Sequence, residues 1–126
     1  MPMRRILLVD DSAIAREPLA KLLAYEGYDV LAASNGLEAL ATLRDQSVDL
    51  LLLDVIMPKM NGIQLLESLR QQERYKDLAV IALTGSMDAA QLSRLRELGV
   101  SEIVTKARFK IDELLNRVKK FFSATD

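Results

Sequence analysis

The sequence LLLLDVIMPKMNG runs from Leu50 to Gly62 and decides the fold of this chain. Four consecutive leucines lead to a single carboxylate, Asp54, and a proline, an asparagine and a glycine follow it. A short apolar run that ends in turn residues is typical of a strand buried on both faces. Asp54 is therefore predicted at the carboxyl end of a central strand, where a charge is costly unless it is paired. Taken alone, this residue fits the ordinary role of a cap for the turn or the next helix.

The rest of the chain alternates between short apolar runs and segments with helical periodicity. The other runs predicted as strands are Ile6–Val9, Asp29–Ala33, Leu78–Leu83 and Glu102–Thr105. A helical segment follows each of the five strands. The residues predicted to face the core are Ala15, Leu19, Leu22 and Leu23 in the first helix, Gly36, Ala39, Leu40 and Leu43 in the second, Gly62, Leu65, Leu66 and Leu69 in the third, Leu92, Leu95 and Leu98 in the fourth, and Ile111, Leu114, Leu115, Val118 and Phe122 in the fifth.

This alternation is the pattern of a parallel sheet with helices on both faces, in which crossovers are right-handed. We predict an α/β fold: a five-stranded parallel sheet of order 2-1-3-4-5 with five helices, a flavodoxin-like (βα)5 arrangement. Residues 1–126 are expected to form a single domain, since neither a linker nor an internal repeat interrupts the pattern. In this order the binding crevice lies between the carboxyl ends of strands 1 and 3.

Composition excludes several classes of function. The chain has 126 residues, with 17 basic and 18 acidic side chains and a net charge of −1, which argues against nucleic acid or a membrane surface as the main partner. It has no cysteine and no histidine, so disulfides, thiol nucleophiles, catalytic triads and most zinc sites are excluded. The apolar runs are too short to span a membrane and the first residues do not resemble a signal peptide, so we expect a cytoplasmic protein.

Chemically interesting residues follow four of the predicted strands. Asp10 and Asp11 follow strand 1, Asp54 ends strand 3, Thr84 ends strand 4 and Lys106 follows strand 5. Each has an ordinary explanation by itself: a helix cap, a turn hydroxyl or a solvated lysine. Together they share one edge of the sheet, where three carboxylates repel one another unless a hard divalent cation binds them. A few carboxylates with retained waters suit Mg²⁺ best, and a lysine offsets the remaining charge.

At this point the chain resembles, from end to end, the receiver domain of bacterial two-component response regulators. The resemblance is carried by LLVDDS at Leu7–Ser12, DVIMPKMNG at Asp54–Gly62, ALTG at Ala82–Gly85 and the single residue Lys106. The segment Asn35–Leu40 is also similar to the start of the family's second helix. Each motif is weak alone, and the combination is highly specific.

The resemblance implies a phosphoacceptor site. Asp54 would attack phosphorus and become an acyl phosphate. Asp11 would ligate Mg²⁺ directly, Asp10 mainly through water, and the backbone carbonyl of Ile56 would supply another ligand. A carboxylate nucleophile needs no general base because it is already ionised.

The resemblance also implies partners and a switch. Thr84 and Lys106 would contact the phosphoryl oxygens, and Thr84 would draw the strand 4–helix 4 connection towards them. A histidine kinase or a histidine phosphotransfer protein would donate the phosphoryl group, and a downstream protein would bind the helix 4–strand 5–helix 5 face. The domain would not be a classical enzyme, although it would catalyse its own phosphorylation and dephosphorylation. Helix 4, predicted from about Asp88 to Leu98, has the weakest apolar stripe, which suits an element that moves.

Two positions depart from the family pattern. The family's lysine is usually followed by proline, often through a cis bond, whereas Ala107 follows Lys106 here. We expect a trans bond, because a cis bond without proline costs about 2.5–4 kcal/mol. The family often has a tyrosine or phenylalanine three residues before the lysine, where this chain has Ile103. An isoleucine has neither a ring to rotate nor a hydroxyl to present, so the switch is expected to work differently.

Three other functions fit parts of the pattern. A phosphatase of the haloacid-dehalogenase type needs a second aspartate two residues after the first, and Ser12 stands there. A nucleotide-binding domain needs a glycine-rich loop after strand 1, which the sequence lacks. A receiver-like interaction module that no longer takes phosphate remains an alternative, against which the intact set of Asp10, Asp11, Asp54, Thr84 and Lys106 argues.

Overall fold

Five parallel strands form a single sheet in the order β2-β1-β3-β4-β5, as the sequence predicts. The computed structural model describes residues 4–55, 61–85, 88–105 and 111–125. The strands are β1 (Arg5–Val9), β2 (Asp29–Ala33), β3 (Leu50–Asp54), β4 (Ala79–Thr84) and β5 (Glu102–Thr105). The third strand is the central one in this order, and its four leucines are fully buried, which requires cover on both faces of the sheet.

The helices lie where the periodicity predicts them. They are α1 (Ala13–Tyr25), α2 (Gly36–Asp45), α3 (Gly62–Arg70), α4 (Ala89–Glu97) and α5 (Ile111–Thr125), with a short 3-10 turn, η1 (Glu73–Tyr75). Ser12 caps α1 by accepting the N–H of Ala15. Gly27 ends that helix with a φ of +100°, a left-handed conformation that favours glycine. None of these described helices is both long enough and apolar enough to cross a bilayer.

The helices cover the two faces of the sheet unequally. One hydrophobic core, which we call the α1/α5 core, joins those two helices to residues such as Leu50 and Leu52 of β3. The other, the α2/α3/α4 core, joins those three helices to Leu51 and Leu53. Alternate leucines of β3 therefore face different cores, as the pleat of a strand requires.

Two residues predicted to face the core are instead exposed. Ala15, in the first turn of α1, and Ile111, the first residue of α5, both have substantial solvent exposure. Both line the same groove beside Asp10, at the carboxyl edge of the sheet. Helical periodicity assigns a residue to one side of its helix, but it does not show whether another element covers that position.

Side chains from α3 and η1 bind the carbonyl ends of two neighbouring helices. The Tyr75 hydroxyl donates to the carbonyl of Leu43 in α2 at 2.6 Å, in a buried contact. The Arg70 guanidinium donates to the carbonyl of Leu98 after α4 at 2.7 Å and to that of Tyr75 at 2.9 Å. Partial burial lowers the pKa of Arg70, against the opposing effect of the Asp77 carboxylate. These contacts supply donors to carbonyls that have no partner within their own helices.

We predict that Tyr75→Phe destabilises the fold while leaving it intact. The substitution removes the hydroxyl and leaves the buried Leu43 carbonyl without this donor, which should cost about 1–3 kcal/mol of unfolding free energy. Urea denaturation followed by circular dichroism measures the change. Tyr25→Phe is the matched control, because Tyr25 is 89% exposed and its substitution should leave stability unchanged. Equal stability of the two variants would contradict the role of the Tyr75 hydroxyl.

Candidate functional site

Strand register brings the predicted site residues to one edge of the sheet. Val9 of β1 pairs with Leu53 of β3, so Asp10 follows β1 at the level where Asp54 ends β3. Asp54 pairs with Leu83 of β4, and Thr84 is the next residue. The carboxyl ends of three adjacent strands therefore bring Asp10, Asp54 and Thr84 to the same edge of the sheet.

These polar residues are deeply buried. Asp10, Asp54 and Thr84 are 3%, 4% and 2% exposed, whereas Asp11 is exposed to solvent. Within the described ranges, every buried side-chain nitrogen or oxygen has a hydrogen-bond partner. The site is thus a polar pocket built on an apolar sheet, open to solvent on the side of Asp11.

Three carboxylates form a cluster that suits a divalent cation. One carboxylate oxygen from each of Asp10, Asp11 and Asp54 lies within 4.8 Å of the others, in the part of the chain that the structure describes. All three groups are hard oxygen donors, the kind that Mg²⁺ and Ca²⁺ prefer, and one side of the cluster remains open for water. The residues present therefore fit the Mg²⁺ ion expected from the sequence.

The turn after β1 is fixed by several hydrogen bonds to Asp10. Its N–H donates to the carbonyl of Ala33 in β2 at 3.2 Å. Its carboxylate accepts the N–H of Ser12 at 2.9 Å, and its backbone carbonyl accepts the Arg16 guanidinium at 2.6 Å. Ser12 thus has two structural roles: its N–H binds Asp10 and its side chain caps α1. A phosphatase of the haloacid-dehalogenase type would have its second aspartate at this position.

Gly62 closes the connection that follows Asp54. Its N–H donates to the carbonyl of Val55 at 2.7 Å. A Cβ atom at position 62 would lie 2.6 Å from the Cα of Val55 and 3.2 Å from the carbonyl oxygen of Asp54, closer than side chains tolerate. Asn61 and Gln64 form a reciprocal capping box that starts α3 at this point. The first residue of α3 is therefore in backbone contact with the end of β3.

Known proteins are similar to this chain in both sequence and fold. A family model described as the response regulator receiver domain matches residues 6–119. The chain is 45% identical over 119 residues to the transcriptional regulatory protein CpxR of Klebsiella pneumoniae, covering 93% of this chain and 48% of that protein. The chain belongs to the response regulator receiver family. The resemblance seen in the sequence is thereby confirmed, and the receiver is a component of two-component signal transduction.

Two further similarities come from a sensor kinase and from a solved structure. The receiver is 35% identical over 116 residues to the CAI-1 autoinducer sensor kinase/phosphatase CqsS of Vibrio cholerae, covering 91% of this chain and 17% of that protein. The solved structure of a response regulator receiver protein from Pseudomonas putida has a TM-score of 0.89 at 30% identity and covers 95% of this chain and 98% of that one. The receiver spans about half, or less, of the length of the curated relatives CpxR and CqsS.

Some of the predicted residues lie outside the described residues. These are Ile56, Lys106 and Ala107, so the backbone ligand, the lysine and the bond that departs from the family pattern remain predictions from the sequence. Ile103 is described: it is half-buried and packs against the α2/α3/α4 core. The residue that replaces the family's switch aromatic is therefore part of the packing under the helices.

We did not predict the apolar groove that lies beside the acidic cluster. The groove lies between the starts of α1 and α5 and has a volume of about 340 Å³; its lining residues are Asp10, Ile14, Ala15, Pro18, Leu19, Leu83 and Ile111. Ile14 is 90% exposed at its rim, which is unusual for an isoleucine. A signal for the groove was present in the sequence, since Ile14 falls off the apolar stripe of α1.

We predict that Gly62→Ala destabilises the receiver and disturbs the end of β3. The added methyl group has to displace the backbone of Val55, and overpacking of this kind costs about 1–3 kcal/mol. Urea denaturation measures the loss. Gly85→Ala is the control, because an added Cβ there meets nothing within 4 Å. Unchanged stability of Gly62→Ala relative to wild type would show that the close approach to Val55 is not a constraint.

Proposed function

We propose that this receiver takes a phosphoryl group from a partner phosphohistidine onto Asp54, in a Mg²⁺-dependent reaction, and changes conformation to pass on a signal. The observation that carries the proposal is the position of the Asp54 carboxylate. It is buried at the end of the central strand, and one of its oxygens lies within 4.8 Å of oxygens from Asp10 and Asp11. If Asp54 only capped a turn or a helix, it would need neither two acidic neighbours nor a side of the cluster that is open to solvent.

The proposed chemistry needs a nucleophile and an arrangement that neutralises charge. An Asp54 oxygen forms a bond to phosphorus as the bond from phosphorus to the donor's imidazole nitrogen breaks, and that nitrogen keeps the electron pair and takes up a proton. With acetyl phosphate as donor, acetate leaves instead. Asp54 is held at a fixed height by the buried β3, so it enters the reaction already oriented. Positioning and charge neutralisation are the main sources of catalysis in phosphoryl transfer.

The acidic cluster defines the proposed metal site. Asp10, Asp11 and Asp54 would hold Mg²⁺, with Asp11 binding it directly, Asp10 mainly through water, and the Ile56 carbonyl as a further ligand. The ion would neutralise charge on the phosphoryl oxygens. Thr84, which is buried at the end of β4 one residue beyond the partner of Asp54, would donate its hydroxyl to a phosphoryl oxygen, and the ammonium of Lys106 would contact another.

Charge added at Asp54 is the proposed trigger of the switch. Phosphorylation adds negative charge and acceptor oxygens, which favours whichever packing brings Thr84 towards them. The output surface is proposed to be the α4–β5–α5 face, because α4 follows Thr84 closely and is weakly anchored. Leu95 is its only fully buried residue within Ala89–Glu97, whereas α2 buries Gly36, Ala39 and Leu43.

Other features support the remaining parts of the proposal. Receivers interact with histidine kinases, and the apolar groove with Ile14 at its rim adjoins Asp10, so a phosphohistidine donor seated there would be close to Asp54.

We propose a cytoplasmic location, a single domain over residues 1–126, and no direct contact of this domain with nucleic acid or membrane. The acidic cluster disfavours the alternative of an interaction module that takes no phosphate.

We predict that acetyl phosphate with Mg²⁺ adds one phosphoryl group to the intact chain. Mass spectrometry should detect this gain in the wild type, and neither Asp54→Asn nor wild type treated with a chelator should show it. Asp45→Asn is the matched control, because Asp45 is exposed at the end of α2 and should leave phosphorylation unchanged. A wild type that gains no mass, or an Asp54→Asn variant that still does, would refute the proposed acceptor.

We predict that the phosphate mimic beryllofluoride changes hydrogen exchange in the first half of α4. That half is exposed, whereas the second half is anchored by Leu95 and by the pair between Arg94 and Glu67 at 3.1 Å. Exchange measured by mass spectrometry should change there and stay constant in α2, which serves as the internal control. Identical exchange in α4 with and without the mimic would rule out this helix as the moving element.

A further inference from the structure

Arg16 of α1 binds the backbone of Asp10, a member of the acidic cluster, and the proposed mechanism does not use this contact. Its guanidinium donates to the backbone carbonyl of Asp10 at 2.6 Å, in a partly buried position. Asp10 lies between the end of β1 at Val9 and the cap of α1 at Ser12, so its carbonyl belongs to neither element. A hydrogen bond from a charged donor is stronger than one from a neutral donor.

The position of that carbonyl matters because of the planar peptide bond. The carbonyl of Asp10 and the N–H of Asp11 lie in one plane, so fixing the carbonyl fixes the orientation of the peptide that joins the two residues. Both residues contribute carboxylates to the cluster with Asp54. The N–H of Asp10 is held by Ala33 and its carboxylate by Ser12, and Arg16 fixes the far side of the residue.

We propose that Arg16 is a positioning residue for the divalent cation, which it serves through the backbone of Asp10 and Asp11. The proposal rests on the proposed function, since it takes the acidic cluster to be the Mg²⁺ site. Arg16 has two effects of opposite sign on that site. Its positive charge repels a cation, whereas its hydrogen bond orders the ligands. The geometry points to ordering as the larger effect, because the guanidinium is engaged with the carbonyl and not with the carboxylates.

Two substitutions separate these effects. Arg16→Met removes both the charge and the hydrogen bond, and Arg16→Lys keeps the charge but loses the length and planar fork of the guanidinium. If ordering dominates, both variants should bind Mg²⁺ about tenfold more weakly, the lower end of what loss of an outer-shell partner costs. Lys21→Met is the control for charge, because Lys21 is exposed on the same helix and should leave Mg²⁺ binding unchanged.

The test is isothermal titration of unphosphorylated protein with Mg²⁺, with urea denaturation without Mg²⁺ to establish that each variant is folded. Weaker binding by Arg16→Lys and Arg16→Met, with Lys21→Met unchanged, is the expected result. Tighter binding by Arg16→Met with no change in Arg16→Lys would show that only charge acts and would overturn the proposal. Equal binding by all four proteins would also overturn it, while leaving the metal site intact. A wild type that binds no Mg²⁺ would instead overturn the metal site itself, and the role of Arg16 with it.

Discussion

The carboxylate of Asp54 is held at the end of a strand that has no exposed side. Leu50–Leu53 are fully buried, with alternate leucines in different cores. In most strands a one-residue slip is penalised because it moves apolar side chains into water. A run of four leucines carries no such penalty, since every register offers leucine to both cores. Asp54 supplies the penalty, because a slip towards the amino end would carry its charge into the core. Asp54 therefore disfavours a slip in this direction, which the leucines alone would not.

The two edges of the sheet are built differently. At the amino edge, side chains tie elements together: the Arg5 guanidinium contacts the Asp29 carboxylate at 2.6 Å, and Arg70 and Tyr75 bind the carbonyl ends of α4 and α2. At the carboxyl edge, buried carboxylates meet at one point and an apolar groove is open beside them. The amino edge thus carries contacts that tie elements together, whereas the carboxyl edge carries both structural contacts, such as that of Gly62 with Val55, and the acidic cluster.

The sequence was sufficient to predict the strands, the helices, the order of the sheet and the clustering of Asp10, Asp11 and Asp54. Hydrophobic periodicity reports which face of an element is covered, and a parallel sheet brings strand ends together. Hydrophobic periodicity does not report how far along a helix the neighbouring elements cover it. This explains why burial was wrongly predicted for Ala15 and Ile111. Nor does it pair a side chain with a distant carbonyl, so the contacts of Tyr75 and Arg16 had no signal in the pattern. The need for glycine at position 62 likewise depends on a backbone approach that only the folded chain reveals.

Ile103 stands where the family often has an aromatic residue, and this limits how phosphorylation of Asp54 could change the rest of the domain. Ile103 pairs with Ala82 in the sheet and packs into the α2/α3/α4 core, so it already contributes to packing in the unphosphorylated receiver. Its branched side chain is stiff about the first torsion angle, and it has no ring that could rotate between a buried and an exposed position. In the proposed switch, movement of Thr84 therefore has to reach α4 through the backbone that connects them. Because Leu95, Arg94 and Arg70 hold the second half of α4, the proposed movement would be confined to its first half, and the helix would rotate about its anchored end.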